Sequence, residues 1–364
     1  MRFSISVSGI SFNSPVLPAA GPNVRTAELM RLAVEAGAGG IVTKTISVVP
    51  ADDPRPTIRS IAGKGLVNCE TWAESDYHEF IDDCKKLKSL NVPLVVSIGY
   101  KPDEVRFLGR YVDEELAPDA IEFSTHYVGQ DVEPLIEIAQ ALRESVSCPV
   151  WMKISPNLLN IDELAVRVSE FVDAFVAINS YGPVLDFDAE NPVPRLGSQN
   201  GYGWMSGAPI LPIALRIVHQ IASVQDKPVI GVGGIENGID AVKMIMAGAS
   251  LVQICSAAIK FGHKIYGKVA KEIEDWLSQH GHKSLDEIRG IYDKNFRARI
   301  SFSGRTIMTV SNENCTGCGI CVKRCVQGAI VMKAEKASVL PQKCIGCGFC
   351  QDFCKFDAMK LSIR

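Results

Sequence analysis

Eight of the 12 cysteines in this 364-residue chain lie between positions 315 and 354. They form two runs, Cys315, Cys318, Cys321 and Cys325, then Cys344, Cys347, Cys350 and Cys354. Each member of the first run recurs 29 residues later, so one ligand pattern, C-x2-C-x2-C-x3-C, is written twice. Closely spaced thiolates either ligate metal or exchange electrons. A disulfide scaffold belongs to small secreted chains with little core, and this chain is neither small nor poor in apolar residues. Zinc favours two separated cysteine pairs. Two steps of three residues, closed by a fourth ligand four residues on, are the spacing that wraps a [4Fe–4S] cluster. The other four cysteines, Cys69, Cys84, Cys148 and Cys255, are scattered through the first 300 positions.

The tail resembles a bacterial two-cluster ferredoxin. In that arrangement the fourth cysteine of each run ligates the other cluster. The resemblance implies one cluster on Cys315, Cys318, Cys321 and Cys354, and a second on Cys344, Cys347, Cys350 and Cys325. Thr316, Gly317, Gly319, Gly346 and Gly348 leave the backbone free to wrap closely round them. The proline that usually follows the fourth cysteine is replaced by Val326 and Lys355. Residues 301–364 hold nine Lys/Arg against four Asp/Glu, a formal +5, which leaves −8 for residues 1–300 of a chain at −3. The basic excess offsets the negative charge of thiolate-ligated clusters; alternatively it forms a docking face for an acidic ferredoxin-like electron carrier.

Such clusters need something to exchange electrons with, and the rest of the chain must supply it. With 47% apolar and 22% charged residues, its composition is that of an ordinary globular protein. The small net charge gives no argument for nucleic acid, and no apolar run approaches the roughly 20 residues of a membrane span. Residues 1–6 lack the pattern of a secretory signal, so a reducing, cytoplasmic setting is expected. Short β-branched runs at 16–20, 40–44, 93–99, 120–124, 149–154, 175–180, 228–233 and 251–256 read as strands. Amphipathic stretches such as 26–36, 131–145, 161–172 and 237–247 lie between them. Eight such units in about 280 residues predict an α/β protein of the TIM (β/α)8 barrel class. A doubly wound sheet would show G-x-G-x-x-G after an early strand, and that fingerprint is absent. The expected domains are a barrel over 1–283, a linker arm over 284–306 and a ferredoxin-like domain over 307–364.

Barrel chemistry sits at the carboxyl ends of the strands. Those ends offer Ala20-Gly21, Lys44-Thr45, Ser97, Ser124, Lys153, Asn179-Ser180, Gly233-Gly234 and Cys255-Ser256. A lysine ending a buried strand needs a partner; Lys44 and Lys153 therefore either meet an anionic group in the barrel mouth or close an ion pair within it. Glycines and small residues after the last two strands are where many barrels hold a phosphate. A phosphate beside a lysine suggests flavin mononucleotide (FMN), although barrels that bind phosphorylated sugars share the glycines. Cys84, Cys148 and His219 read as packing or surface residues.

Taken together, Gly40-Ile-Val-Thr-Lys-Thr45, Trp151-Met-Lys-Ile-Ser-Pro-Asn157, Ala177-Ile-Asn-Ser180, Tyr202-Gly-Trp-Met-Ser-Gly207 with Pro212-Ile-Ala-Leu-Arg216, Gly231-Val-Gly-Gly-Ile235 and Ala247-Gly-Ala-Ser-Leu-Val-Gln-Ile-Cys-Ser256 resemble the dihydroorotate dehydrogenase barrel. Within that family the match is nearest to the flavin barrel plus carboxyl-terminal ferredoxin part of dihydropyrimidine dehydrogenases. The resemblance implies FMN and two [4Fe–4S] clusters. It places Ala20 and Gly21 on the flavin ring, Lys44 and Thr45 near its polar edge, and Lys153 on its pyrimidine side or ribityl chain. Ser206, Gly207, Gly233, Gly234, Cys255 and Ser256 would hold the phosphate, with Ser97 and Ser124 close by. Asn68, Asn179 and Ser180 would face the substrate; Cys69, Glu70 and Trp72, in the Asn68 loop, are further substrate-side candidates without a clear counterpart in the family, and Cys69 or Glu70 is an alternative proton donor.

The departure is after the fourth strand. There the family carries Asn-x-Ser-Cys-Pro or a near variant, with its acid–base cysteine or serine, whereas this chain reads Glu122-Phe-Ser-Thr-His-Tyr-Val-Gly129. Ser124 takes the asparagine's position, and His126 or Tyr127 stands where the acid would begin. The expectation is an FMN-dependent iron–sulfur oxidoreductase moving electrons between a ferredoxin-like partner, or a partner redox subunit, and an activated C=C bond of a substrate other than orotate or uracil. Its alternatives are a dihydropyrimidine or dihydroorotate dehydrogenase with an unusual loop, and an electron-transfer subunit of a larger complex. A homodimer or larger assembly is expected, with residues 285–306 as the arm that reaches across it.

Overall fold

The computed structural model describes residues 3, 5–61, 65–124, 129–298 and 306–363. All eight expected strands form: β1 (Val16–Pro18), β2 (Ile41–Val42), β3 (Leu94–Ile98), β4 (Ala120–Ser124), β5 (Val150–Ile154), β6 (Ala174–Ala177), β7 (Val229–Val232) and β8 (Ala249–Ile254). They pair in parallel in the order β1-β8-β7-β6-β5-β4-β3-β2. The Gly39 N–H donates to Val16 O at 2.9 Å and brings the β2 edge back to β1, which nearly closes the barrel. All eight strands are buried at every position. That is the pattern of strands covered by helices on one face and by core on the other.

The helices show why each begins where it does. Thr26 Oγ1 accepts the Leu29 N–H at 3.3 Å to cap Ala27–Glu35, and Asn237 Oδ1 accepts the Asp240 N–H at 3.0 Å to cap Gly238–Ala247. Pro102–Leu116 opens on proline with Asp103 and Glu104 in its first turn, and it buries Val105, Leu108, Val112 and Leu116 on one face. At the amino ends of the strands, the hairpin Ile5–Val7 with Ile10–Phe12 packs Phe12 against Trp151, whose indole N–H donates to Ser8 Oγ at 3.3 Å.

Two features go beyond the expected eight units. The connections after β2 and β6 contribute Ile58–Ile61, Gly65–Asn68, Tyr181–Val184 and Gly203–Gly207 to a four-stranded antiparallel sheet. Their short runs, broken by glycine and proline, carry little periodicity, so pairing between distant loops has to create them. The barrel unit also continues to Asn295. Leu285 and Ile288 are buried in its core, so the first part of the expected arm, 284–295, packs as barrel.

The second unit, Phe296–Arg364, has its own small core. Thr306–Val310 pairs antiparallel with Met359–Ile363, and Ile330–Lys333 with Lys336–Val339. Short helices at Ile320–Arg324 and Phe349–Asp352 each begin just before the third cysteine of a glycine-punctuated run, Cys321 or Cys350. Among the described residues no helix is long and apolar enough to cross a membrane.

Candidate functional site

The carboxyl ends of the barrel strands open into one cleft, the end at which barrel enzymes bind their ligands. Ala20, Gly21, Lys44, Thr45, Asn68, Glu70, Ser124, Lys153, Asn179, Ser180, Ser206, Gly207, Gly233, Gly234, Cys255 and Ser256 all line it. These residues come from every part of the barrel sequence, and the fold brings them to one place.

Both lysines face the cleft and both are paired, so the two readings of them hold together. Lys153 Nζ lies 3.3 Å from Glu122 Oε1, with side-chain exposures of 5% and 0%. The second Glu122 oxygen accepts from Gln253 Nε2 at 2.9 Å. Lys44 Nζ lies 3.4 Å from Glu70 Oε2 and donates to Thr71 O at 3.2 Å. A buried ammonium without such partners would be driven to its neutral form. Each lysine here has such a partner within 3.4 Å.

A second group of residues is built for close approach. Ser256 Oγ donates to Ser206 Oγ at 2.8 Å. Gly233 and Gly234 stand at φ +117° and +80°, where other residues are strained, and a Cβ on Gly234 would sit 2.7 Å from Leu211 N. Behind Gly21, the Cys255 thiol donates to Asn23 Oδ1 at 3.1 Å, and Asn23 Nδ2 donates to the Tyr266 hydroxyl at 2.8 Å. Burial pushes the Cys255 thiol up to about 11, even with Lys153 and Lys44 nearby. Cys255 is therefore a neutral wall residue, not a nucleophile. Asn179 Nδ2 donates to Ser124 Oγ at 2.9 Å, and its Oδ1 accepts the Ser180 N–H at 2.7 Å. Asn68 Nδ2 donates to Trp204 O at 3.1 Å across the antiparallel sheet.

One buried polar atom in the cleft wall lacks a partner. Gln253 Oε1 is fully enclosed and unbonded while its residue lines the cleft. A buried acceptor of this kind calls for a donor from a bound group. With two cationic side chains, paired hydroxyls and side-chain-free backbone, the residues present fit an FMN ring and phosphate.

Three expected site residues lie elsewhere. Ser97 is buried behind the wall and bonds Thr45 Oγ1 at 2.9 Å, so it positions a lining residue without lining the cleft itself. Cys69 turns away, with its sulfur 3.7 Å from both Pro54 O and Pro56 O. Trp72 stacks on Tyr100 with ring centroids 4.7 Å apart. His126 and Tyr127 lie outside the described residues. Glu122 and Gln253 were not anticipated. Their signal was available, because each is the one long polar side chain in a strand of otherwise apolar residues and serine, and must be satisfied by something.

In the second unit, Cys315, Cys318, Cys321 and Cys354 line one cavity, three from the first run and the last of the second. Backbone N–H groups point at the sulfurs: Ala337 at Cys315 (3.4 Å), Ala329 at Cys325 (3.3 Å), Met308 at Cys344 (3.5 Å) and Ala358 at Cys354 (3.2 Å). The donors to Cys325 and Cys354 each stand four residues on, so the repeat in sequence is also a repeat in hydrogen bonding. Hydrogen bonds from Ala337 and Gly317 hold the Cys315 thiol below its ordinary range. Burial pushes Cys350 up to about 11, with Cys347, Cys321 and Cys325 as close neighbours. Gly317, Gly319, Gly346 and Gly348 all have φ between +68° and +81°.

Residues 123–277 match the dihydroorotate dehydrogenase family, and residues 307–355 match the 4Fe-4S dicluster domain. The catalytic subunit of dihydroorotate dehydrogenase B (NAD(+)) from Pyrococcus furiosus is 34% identical over 307 residues, covering 81% of this chain and 100% of the relative. The same subunit from Pyrococcus abyssi is 34% identical over 300 residues (79% and 98%), and that from Methanothermobacter thermautotrophicus 32% over 297 residues (79% and 97%). About four-fifths of this chain therefore accounts for nearly all of each relative, and the unmatched fifth is close in length to the second unit.

Proposed function

The chain belongs to the dihydroorotate dehydrogenase family, extended by a 4Fe-4S dicluster domain, and from that premise we propose an FMN- and iron–sulfur-dependent oxidoreductase acting on the CH–CH bond of a small polar molecule. The observation that carries the reading is the pair of carboxylate-held lysines in a cleft that also presents the Ser206–Ser256 hydroxyls and the Gly233-Gly234 backbone. Bound FMN supplies hydride exchange with the substrate and single-electron exchange with the clusters.

This chain's residues do the rest. Lys153, fixed by Glu122, holds positive charge beside the flavin's pyrimidine edge, and Gln253 Oε1 accepts a ring N–H. Ser206, Ser256 and the bare glycine backbone grip the phosphate. Asn179, pinned by Ser124, and Asn68 orient the substrate. Proton donation is assigned to His126 or Tyr127, which follow β4 in the sequence. Cys315, Cys318, Cys321 and Cys354 ligate one cluster, and Cys344, Cys347, Cys350 and Cys325 the other. The relatives are named as catalytic subunits of NAD(+)-dependent enzymes. By analogy, a separate redox partner, either a ferredoxin-like carrier or a second subunit, exchanges electrons with the cluster domain here.

The test is anaerobic purification followed by a screen of orotate, other pyrimidines, enones and enoates for reoxidation of the reduced protein. Turnover of at least one compound is expected; reoxidation by none of them overturns the reading. Replacement of His126 by alanine and of Tyr127 by phenylalanine identifies the donor, since only one should abolish turnover while flavin content holds. A stricter reading, dihydroorotate as the substrate itself, has the relatives' names behind it, whereas the Glu70 carboxylate in the cleft speaks against an anionic substrate. Flavin reduction by dihydroorotate is the measurement that separates the two.

A further inference from the structure

We propose that Glu70 makes the cleft a filter for substrate charge: it takes a neutral compound that offers an N–H to Glu70 and turns away a carboxylate. The proposal rests on the reading above, that a small molecule is oxidised or reduced in this cleft.

Among the described residues that line the cleft, the cations are Lys44 and Lys153, and each is already held by a carboxylate. No positive charge is left over for an incoming anion. Lys44 is also unable to swing free. It donates to Thr71 O at 3.2 Å, and Asp53 fixes Thr71 through both its N–H (2.9 Å) and its hydroxyl (2.7 Å). Asp53 is itself buried behind Thr71, so a second carboxylate backs this end of the cleft without lining it. The Glu70 side chain is 14% exposed and lines the cleft. A substrate carboxylate placed there would meet like charge in a partly desolvated space.

Glu70 also retains capacity to accept. Its Oε1 receives the Thr57 hydroxyl at 3.2 Å and its Oε2 faces Lys44 at 3.4 Å. An ionised carboxylate has about four acceptor positions, so each oxygen can take a further N–H. An amide or lactam N–H satisfies that geometry, and a compound without one leaves the acceptors to compete for water.

Orotate and orotamide test this, because they share one ring and differ only in a carboxylate against a neutral carboxamide. Binding to the anaerobic, FMN-loaded full-length protein is measured by titration calorimetry. The expected result is orotamide binding at least ten-fold more tightly than orotate. In Glu70→Gln, orotate should gain at least ten-fold while orotamide changes less than three-fold. Thr57→Val, which only loosens Glu70, should narrow the ratio partway. Equal affinities in the unaltered protein, a ratio insensitive to Glu70→Gln, or no orotamide binding at millimolar concentration each overturn the filter. Electron transfer is scored separately. Binding with the expected charge preference, with no compound of the reoxidation screen turned over by the reduced protein, upholds the filter and overturns the CH–CH reading; turnover without charge preference does the reverse.

Discussion

The barrel and the cluster unit use the same residue, cysteine, in opposite ways. In the barrel, burial pushes Cys84 and Cys148 up to about 12 and Cys255 up to about 11, so these thiols stay protonated and pack. In the second unit, backbone N–H groups converge on Cys315, Cys325, Cys344 and Cys354, and those at Cys315 hold its thiol below its ordinary range, while burial still pushes Cys350 up to about 11. The barrel surrounds its thiols with apolar core, whereas the second unit has only a small core, meets four of its sulfurs with backbone donors and takes its order from ligands. The lesson is that one unit owes its stability to area buried and the other to groups bound.

The largest effect should therefore come from removing one ligand. Cys347→Ser should cost one of the two clusters, reduce iron per chain by about half and loosen the second unit. Barrel flavin content should stay unchanged, because the units have separate cores. Iron and flavin assays on the same preparation check this; parallel loss of both would break the comparison.

Next in size is the buried partner in the barrel. Glu122→Ala leaves Lys153 charged and unpaired in a site where both side chains are at most 5% exposed. Removal of one member of a buried pair costs about 3–5 kcal/mol. The urea midpoint of the barrel transition should fall accordingly, with the second unit's iron content unaffected. Glu122→Gln, which keeps the shape and the bond to Gln253, should cost less.

These two sites also explain what could be read from sequence. Each cluster run is contiguous, and its glycines stand at the positions where φ is positive, so spacing alone carried the chemistry. The strands were equally legible because each is a short, predominantly apolar run. The cleft was legible only as a set of strand ends. That Lys153 meets Glu122, or Lys44 meets Glu70, depends on pairings 31 and 26 residues apart, which no local pattern encodes. The antiparallel sheet over Gly65–Asn68 and Gly203–Gly207 was missed for the same reason. Placing Cys69 and Trp72 beside the substrate failed because a loop's side chains alternate between cleft and wall: Asn68 and Glu70 face in while Cys69 turns out.

Glycines give a matched test across the two units. Gly234→Ala places a Cβ against Leu211 at φ +80°, and Gly346→Ala places one against Thr306 O at φ +68°. Each should cost roughly 1–3 kcal/mol of backbone strain and crowding. The readouts should differ: Gly234→Ala lowers flavin retention on gel filtration, and Gly346→Ala lowers iron. Cross-effects between the two would show that the units are coupled.

The smallest expected effect is a pH dependence confined to the barrel. Cys255 titrates near 9 when unfolded and at about 11 when folded, so the folded state holds its proton more tightly. The stability this contributes is complete below pH 9 and is lost as pH rises from 9 towards 11. At one pH unit above the unfolded value the loss is about 1 kcal/mol. Other groups titrate in that window, so the informative quantity is the difference between the unaltered protein and Cys255→Ala. That difference should be constant from pH 7 to 8.5 and should then shift by about 1 kcal/mol in favour of the alanine variant by pH 10. A difference that stays constant to pH 10 would place Cys255 in contact with solvent or with a compensating cation. The neutral wall behind Gly21 would then have to be replaced by a thiolate, and the barrel's cysteine would resemble those of the tail.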